Sequence, residues 1–437
     1  MMRRLASTAL PPSVTSLAIN LVGLASFTGA LALFAQGSSS DPAVMAAVCA
    51  AAFAVPIAIL EMLVLGVHRR SSTGLDFAGP PRPNLQRLFV KLVGFYATVV
   101  TVAVGYWLLP EYGHDYYGVF WQAASAWWPV FVIGAVPYFA VIDRYMVEPR
   151  DGYWQVGLLA LGRWEEMDAA LLRKHVLEWA VKAFFLPLMF YQLALLAGVL
   201  TKFEYGAGFL GDFSVMYDFL YAVDTVIATV GYLFTLRFLD AHLRSVDETI
   251  GGWLVTIICY GPFWTFAWAA IFNYERNGTT WGPWLSGHPL LQAIWGSMVL
   301  VATALYAGAH LTFGLRFSNL THRGILTNGL YALTKHPSYV AKNISWWLIS
   351  VPFIATTGWP DALRNVLLMV AVNVVYFLRA RTEERHLARD PNYVRYALAM
   401  NERSVFAPLG WAFPLLRFRA PTAVEPVPEL RVPEVAD

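Results

Sequence analysis

Apolar residues run along this chain in ten long stretches that are separated by shorter polar connections. Each stretch is close to the ~20 residues that a helix needs to cross the hydrocarbon core of a bilayer. Because lipid offers the backbone no hydrogen-bond partners, a spanning stretch of this kind is expected to be helical. The pattern predicts an all-α, polytopic integral membrane protein with about ten transmembrane helices. The stretches lie at residues 17–36, 43–67, 88–109, 119–142, 176–200, 215–236, 250–273, 289–313, 339–357 and 361–378.

Positive charge alternates between the connections and predicts the orientation of the chain. With the N-terminus taken as cytoplasmic, the connections and ends on that side hold 25 lysine and arginine residues. The connections on the opposite side hold only Lys202 and Arg276. Cytoplasmic loops carry such an excess of lysine and arginine. We therefore expect both termini to be cytoplasmic. If the source is bacterial, we expect the protein to lie in the inner or cell membrane.

Composition supports the membrane assignment and excludes some classes of partner. Of the 437 residues, 57% are hydrophobic and 14% are charged, whereas soluble domains carry about 25% charged residues. The net charge of +2 gives no electrostatic basis for binding nucleic acid. The two cysteines, Cys49 and Cys259, lie far apart in apolar stretches. They predict neither a metal site nor a disulfide framework.

Two polar segments near the end of the chain carry the candidate chemistry. The connection "GLRFSNLTHRGILTNGLYALTKHPSY" precedes stretch nine, and "RARTEER" follows stretch ten. Irregular backbone near a membrane persists where protein or ligand covers it. Stretches nine and ten are joined by the short turn "TTGWPD", so they form a hairpin whose two inner ends return to the same side. We expect the polar segments to be neighbours in space.

These segments resemble a known enzyme family. "GILTNGLYALTKHPSYV", the hairpin, "RARTEERHL" and then "PNYVRY" are similar to the isoprenylcysteine carboxyl methyltransferases and, more broadly, to membrane phospholipid N-methyltransferases. The resemblance covers about residues 285–410. The elements that carry it are Gly329 and Tyr331, then His336, Pro337 and Tyr339, then Glu383 and Glu384, and finally Tyr393 and Tyr396.

The resemblance implies a site for S-adenosylmethionine and an amphiphilic, isoprenoid or lipid substrate, with a carboxylate favoured as the methyl acceptor. It also implies that Arg379 acts in substrate binding and catalysis. The cofactor-binding residues that it implies are Arg323, Gly324, Ile325, Leu326, Tyr331, His336, Pro337, Ser338, Tyr339 and Glu383.

The residue types suit that cofactor. Glu383 can pair with its amine, while His336 and backbone N–H groups can serve its carboxylate. Tyr331 and Tyr339 can pack the adenine or face the sulfonium through cation–π attraction, worth ~0.5–2 kcal/mol. An arginine can hold a carboxylate acceptor with two parallel hydrogen bonds. Such an acceptor needs no general base.

Further candidates and two departures remain beside this set. An amine or thiol acceptor would need a base, for which Glu384 or His386 is a candidate. Asp224 is ionisable at membrane depth and is a functional candidate for that reason; the alternative is a polar contact between helices. The family has arginine where this chain has Lys335, and glycine where it has Ala341. Both departures concern the identity of the substrate.

The sequence also suggests a division of the chain and a rival function. We expect a seven-span region of unknown role at 1–280, a methyltransferase-like catalytic module at 285–415, and a disordered tail at 416–437. Sterol reductases are a rival because they carry a similar His-Pro-x-Tyr and use NADPH. They lack a Glu-Glu pair, so the pair in "RTEER" favours the methyl donor.

Overall fold

The computed structural model describes residues 10–37, 41–203, 206, 208–350 and 357–421. Within these ranges the regular secondary structure is almost all helical. The helices are α1 (Leu17–Ala35), α2 (Pro42–Val64), α3 (Leu85–Leu108), α4 (Gly118–Ile142), α5 (Gly152–Ala160), α6 (Ala169–Leu200), α7 (Phe209–Leu233), α8 (Ile250–Ile257), α9 (Phe263–Ala267), α10 (Trp281–Trp284), α11 (Pro289–Leu311), α12 (Pro337–Ser350), α13 (Trp359–Leu387), α14 (Pro391–Arg403) and α15 (Ala407–Ala412). Strands β1 (Ser245–Val246) and β2 (Thr321–His322) form a short antiparallel pair.

Eight helices in the described ranges are long and apolar enough to cross a membrane: α1, α2, α3, α4, α6, α7, α11 and α13. They correspond to eight of the ten stretches in the sequence. The prediction of an all-α polytopic integral membrane protein is confirmed. The other two stretches, 250–273 and 339–357, take a different form.

The stretch at 250–273 is an interrupted helix that still runs the length of α13. Helix α8 ends before Gly261 and Pro262, and proline has no N–H to continue a helix. A π-helical turn at Trp268–Phe272 follows α9. Arg385 donates to the Thr249 hydroxyl at 2.7 Å, and Arg364 donates to the Asn273 carbonyl at 2.9 Å. These contacts lie about 30 Å apart along α13 at 1.5 Å per residue, which is the thickness of a hydrocarbon core.

The stretch at 339–357 begins as α12, a 14-residue helix. Residues 351–356 lie outside the described part of the chain. Helix α12 packs closely on α11 and also contacts α13. It therefore brings the start of the predicted hairpin against the helix that carries "RTEER".

The connections that the charge pattern assigns to one side are gathered at one end of the molecule. The Val14 N–H donates to the Ile325 carbonyl at 3.0 Å, and Arg70 lies 3.6 Å from Asp240. His322, in the same connection as Ile325, lies 3.3 Å from Asp390, beyond α13. These contacts agree with the assignment of those connections to one side of the membrane. That this end faces the cytoplasm remains a prediction.

The largest buried apolar cluster joins four of the N-terminal helices to the C-terminal segment. It includes residues of α1, α2, α6 and α7 together with Ala307, Leu311, Leu315 and Phe317. The N-terminal helices thus pack directly on the helix and turn that lead into the polar segment. Residues 422–437 of the predicted tail lie outside the described residues. Phe418, near its start, is buried against Tyr393 and Tyr396.

Candidate functional site

The two polar segments enclose one cavity, here called the motif cavity, at the end of the bundle where the charged connections gather. It contains about 1020 Å³ of space, part of it open to solvent. Its walls come from α8, α11, the connection 314–336, α12 and α13. Nine predicted site residues line it, namely Arg323, Gly324, Tyr331, His336, Ser338, Tyr339, Arg379, Glu383 and His386. The expectation that the hairpin returns both segments to one place agrees with this arrangement.

Arg323 anchors the connection that forms one wall. Its guanidinium donates to the carbonyls of Gly231 at 2.6 Å and Phe317 at 2.9 Å, and also to those of Phe234 and Ala241. The side chain is buried. Its donors are therefore committed to backbone carbonyls at the end of α7 and in the polar connections. Arg323 can therefore contribute to ligand binding through its backbone and not through its guanidinium.

Gly324 allows the wall to turn tightly against the N-terminal segment. Its φ of +108° lies in a region that side chains rarely adopt, and a Cβ there would meet Val14 Cγ2 at 2.6 Å. Ile325 and Leu326 follow as buried residues. Ile325 packs on α14 and accepts the Val14 N–H through its carbonyl. Ile325 and Leu326 support the wall on the side away from the cavity, while Gly324 faces the cavity.

A hydrogen bond from helix α14 fixes the position of Tyr331. Its carbonyl accepts the Tyr396 hydroxyl at 2.7 Å, and its ring meets Phe313 edge to face at 5.5 Å. Burial raises the pKa of Tyr331 well above its ordinary value. The phenol therefore stays neutral at physiological pH and serves as a hydrogen-bonding aromatic surface.

Residues 336–339 bring the start of α12 to the cavity. Pro337 occupies the first helical position, where its missing N–H costs nothing. The N–H groups of a first helical turn have no acceptor within the helix and attract anions. His336 stacks on Tyr339 with 5.6 Å between ring centroids. Ser338 is buried and lines the cavity.

Helix α13 presents an arginine and a glutamate one turn apart. The Tyr339 hydroxyl donates to Glu383 Oε2 at 2.7 Å. The guanidinium of Arg379 lies 5.2 to 5.9 Å from the ring centroids of Tyr339, Tyr260 and Tyr376. It also donates to the side chain of Asn319 and, at 3.3 Å, to the Tyr260 hydroxyl.

Neither charged side chain has an ion-pair partner within 4.0 Å among residues 10–37, 41–203, 206, 208–350 and 357–421. Arg379 is buried. A buried charge without a counter-charge is costly unless a ligand supplies one. A ligand that carries opposite charges can therefore neutralise Arg379 and Glu383.

Glu384 faces away from the motif cavity into a cluster of cationic groups. One of its oxygens lies 2.6 Å from Lys335 Nζ and 3.2 Å from His336 Nε2, and the other lies 2.6 Å from Arg381. These contacts tie the connection to α13 and orient the His336 ring. Lys335, the first departure from the family pattern, contributes to this cluster rather than to the cavity lining.

His386 lines the cavity next to the β1–β2 pair. Its Nε2 lies 3.2 Å from the Ser245 hydroxyl, and its Nδ1 is buried without a partner among the described residues. Beside β2, burial acts to raise the pKa of Asp390, but the His322 imidazole 3.3 Å away and the hydrogen bond from the Asn392 N–H outweigh it, and the pKa is lowered. Asp390 thus remains an anion that caps α14.

Asp224 lies behind the cavity wall and orients two residues that line it. It accepts the Tyr306 hydroxyl at 2.6 Å on one oxygen and contacts His310 Nδ1 with the other. Lys342 donates to the Tyr306 hydroxyl at 3.4 Å and projects into the cavity. Ala341, the second departure from the family pattern, is buried.

Several cavity residues were not singled out from the sequence. Tyr260 and Tyr306 sit in apolar stretches that give no local sign of chemistry. Asn319 belongs to the quoted connection before stretch nine, and Lys342 lies three residues beyond the end of that segment. Polar character at membrane depth is the signal that could have identified both.

Comparison with protein families gives a match to one segment of the chain. Residues 290–389 match the model of the isoprenylcysteine carboxyl methyltransferase (ICMT) family. Neither the curated proteins nor the solved structures gave a match. The family resemblance is confirmed on that segment, and with the spanning helices it supports a membrane methyltransferase as the general class. Nothing favours the sterol-reductase alternative.

Proposed function

We propose that this protein transfers a methyl group from S-adenosylmethionine to an amphiphilic substrate with an acidic headgroup. The observation that carries the proposal is the placement of Glu383 and Arg379 one turn apart on the same face of α13. Both line the motif cavity, and neither has a counter-charge among the described residues. A cofactor with an amine and a substrate with a carboxylate would supply those charges.

The proposed cofactor subsite is built around Glu383 and the start of α12. Glu383, held by Tyr339, would accept the cofactor's amine, and the first N–H groups of α12 would bind its carboxylate. The backbone of Arg323 and Gly324, with Tyr331, would line the adenosine side. S-adenosylmethionine supplies an electrophilic methyl group on a sulfonium. Tyr339 and Tyr331 offer aromatic surfaces suited to that positive charge.

The proposed substrate subsite is centred on Arg379. Three aromatic rings and Asn319 fix the guanidinium, so little side-chain entropy is lost when it binds. Its remaining N–H donors can hold a carboxylate with two parallel hydrogen bonds. A bound carboxylate is already ionised and needs no base, so the residues here act by positioning the reactants and excluding water. We place His386 and Glu384 in supporting roles.

The position of the cavity suggests separate routes for the two reactants. It lies where the charged connections gather, so a water-soluble cofactor would enter from that side, which we assign to the cytoplasm. An amphiphile would enter laterally between helices. The seven N-terminal spans would cover the cavity from lipid and shape its apolar side.

Methyl transfer from labelled S-adenosylmethionine into membrane lipid extracts tests the proposal. We expect the purified protein to label a lipid fraction, and Arg379→Lys to reduce labelling at least about tenfold because lysine lacks the planar fork. S-adenosylhomocysteine should still stabilise this variant against heat. The matched control is Arg385→Lys, since Arg385 is exposed on the same helix. Absence of labelling by the wild type, or full labelling by Arg379→Lys, would contradict the proposal.

A further inference from the structure

Lys342 is a second cation in the motif cavity that the proposed function leaves without a role. It lies on α12 one turn after Tyr339, and residues three apart share a helix face. Its Nζ lies 4.8 Å from the ring centroid of Tyr306 and 5.4 Å from that of Trp346. Its single hydrogen bond, among those of the described residues, goes to Tyr306. Lysine carries three donors, so two remain for a ligand.

The nearest carboxylate does not neutralise Lys342 directly. Both oxygens of Asp224 are occupied, one by the Tyr306 hydroxyl and the other by His310. No carboxylate oxygen lies within 4.0 Å of Lys342 Nζ in the described ranges. Tyr306 donates its proton to Asp224 and accepts from Lys342, so Asp224 fixes the direction of the contact. The lysine is thereby held in place with its charge directed at the cavity.

The other charged groups of the cavity leave two cations for the substrate. Arg316 is paired with Glu61 at 2.6 Å, and Arg323 is committed to backbone carbonyls. The Asp247 carboxylate accepts from the N–H and hydroxyl of Thr249. Glu383 is assigned to the cofactor's amine. Arg379 and Lys342 remain.

We propose that Lys342 binds a second anionic group of the substrate, beside the carboxylate that Arg379 holds. The substrate class is then an amphiphile whose headgroup carries two acidic groups. This inference rests on the proposed function, since it places both cations in one substrate site. The two cations, with a sulfonium nearby, favour a dianion over a single carboxylate by simple electrostatic complementarity.

Binding of defined amphiphiles to the full-length protein in detergent tests the inference. The probes are N-palmitoyl glutamate, a diacid, and N-palmitoyl glycine, a monoacid of similar apolar length. We expect the wild type to bind the diacid about tenfold or more tightly than the monoacid, as a charge-assisted hydrogen bond provides. Lys342→Met should bring this ratio close to one, and Lys342→Arg should retain the preference.

Lys182→Met is the matched control. Lys182 also lies in a membrane-spanning helix over an aromatic ring, with Nζ 3.9 Å from the Trp179 centroid, but does not line the cavity. The Lys182→Met variant should keep the wild-type ratio of diacid to monoacid affinity. A wild-type ratio near one, or an undiminished ratio in Lys342→Met, overturns the inference.

Calorimetry with S-adenosylhomocysteine on the same preparations separates the two proposals. Undiminished cofactor binding by Lys342→Met shows that the variant is folded, and a lost ratio is then due to the missing charge. Cofactor binding by the wild type without a diacid preference refutes the inference and leaves the proposed function standing. A diacid preference without cofactor binding refutes the proposed function instead.

Discussion

At the scale of residues, the site depends on a few side chains whose surroundings leave them unneutralised. The sequence predicted that Arg379, Glu383 and Tyr339 would meet, because a short hairpin returns both motif segments to one side. It did not predict Tyr260, which meets Arg379 from a stretch about 120 residues earlier in the chain. Nothing local distinguishes that tyrosine from other aromatic residues of a membrane helix. Such long-range partners follow from packing alone.

Gly324→Ala tests the wall of the cavity at residue scale. The substitution adds a Cβ at a positive φ and against Val14, and strain of this kind costs about 1–3 kcal/mol. We expect a lower midpoint of thermal denaturation in detergent and weaker binding of S-adenosylhomocysteine.

Gly105→Ala in α3 is the control for that substitution. A Cβ at Gly105 meets nothing within 4 Å, and alanine favours a helix over glycine by roughly 0.5–1 kcal/mol. This variant should be neutral or slightly stabilised. Wild-type stability and binding in Gly324→Ala would show that the wall does not require the turn.

At the scale of elements, the N-terminal helices hold the motif connection in place. Arg316 pairs with Glu61 of α2, and Asn20 of α1 donates to the carbonyls of Leu311 and Thr312 at 2.9 and 3.1 Å. Glu61 lies within the apolar stretch at 43–67, and the sequence gives no partner for it. The sequence also showed a continuous apolar stretch at 250–273, where the structure has an interrupted helix. A hydropathy pattern shows how long an apolar stretch is, whereas the interruption of its helix depends on the local backbone geometry.

The Arg316–Glu61 pair provides a prediction at this scale. Both side chains are almost completely buried, and removing one partner of a buried pair costs about 3–5 kcal/mol. We expect Glu61→Leu and Arg316→Met each to lower the denaturation midpoint strongly. The double variant should recover part of the loss, because no charge is left buried alone.

The exposed pair Arg163–Glu166 serves as a comparison, since exposed ion pairs contribute little. Arg163→Met should leave the midpoint nearly unchanged. Additive losses in the Glu61→Leu/Arg316→Met double variant would show that the two residues act independently.

At the scale of the whole molecule, the charged connections lie at one end and the motif cavity opens among them. The alternation of lysine and arginine predicted this gathering from the sequence, and the contacts between connections agree with it. The general class could also be predicted, because the motif is local and polar. The role of the N-terminal spans could not, since their contribution is packing against the motif connection.

Cysteine labelling in intact cells checks the orientation. Gly287 and Ala78 are exposed, and the charge pattern assigns their connections to opposite sides. A membrane-impermeant maleimide should label Gly287→Cys in intact cells and Ala78→Cys only after permeabilisation. The wild type gives the background, since Cys49 is buried and Cys259 half-buried. The reverse pattern would place the motif cavity on the outer face.

The central claim, a cofactor site built on Glu383, is tested most directly by calorimetry with S-adenosylhomocysteine and, in a separate titration, NADPH. We predict that the wild type binds S-adenosylhomocysteine and not NADPH. Glu383→Gln should weaken that binding at least about tenfold, the scale of a lost charge-assisted hydrogen bond. Glu402→Gln, an exposed glutamate outside the cavity, should bind as the wild type does. Undiminished binding by Glu383→Gln, or no binding by the wild type, would contradict the account.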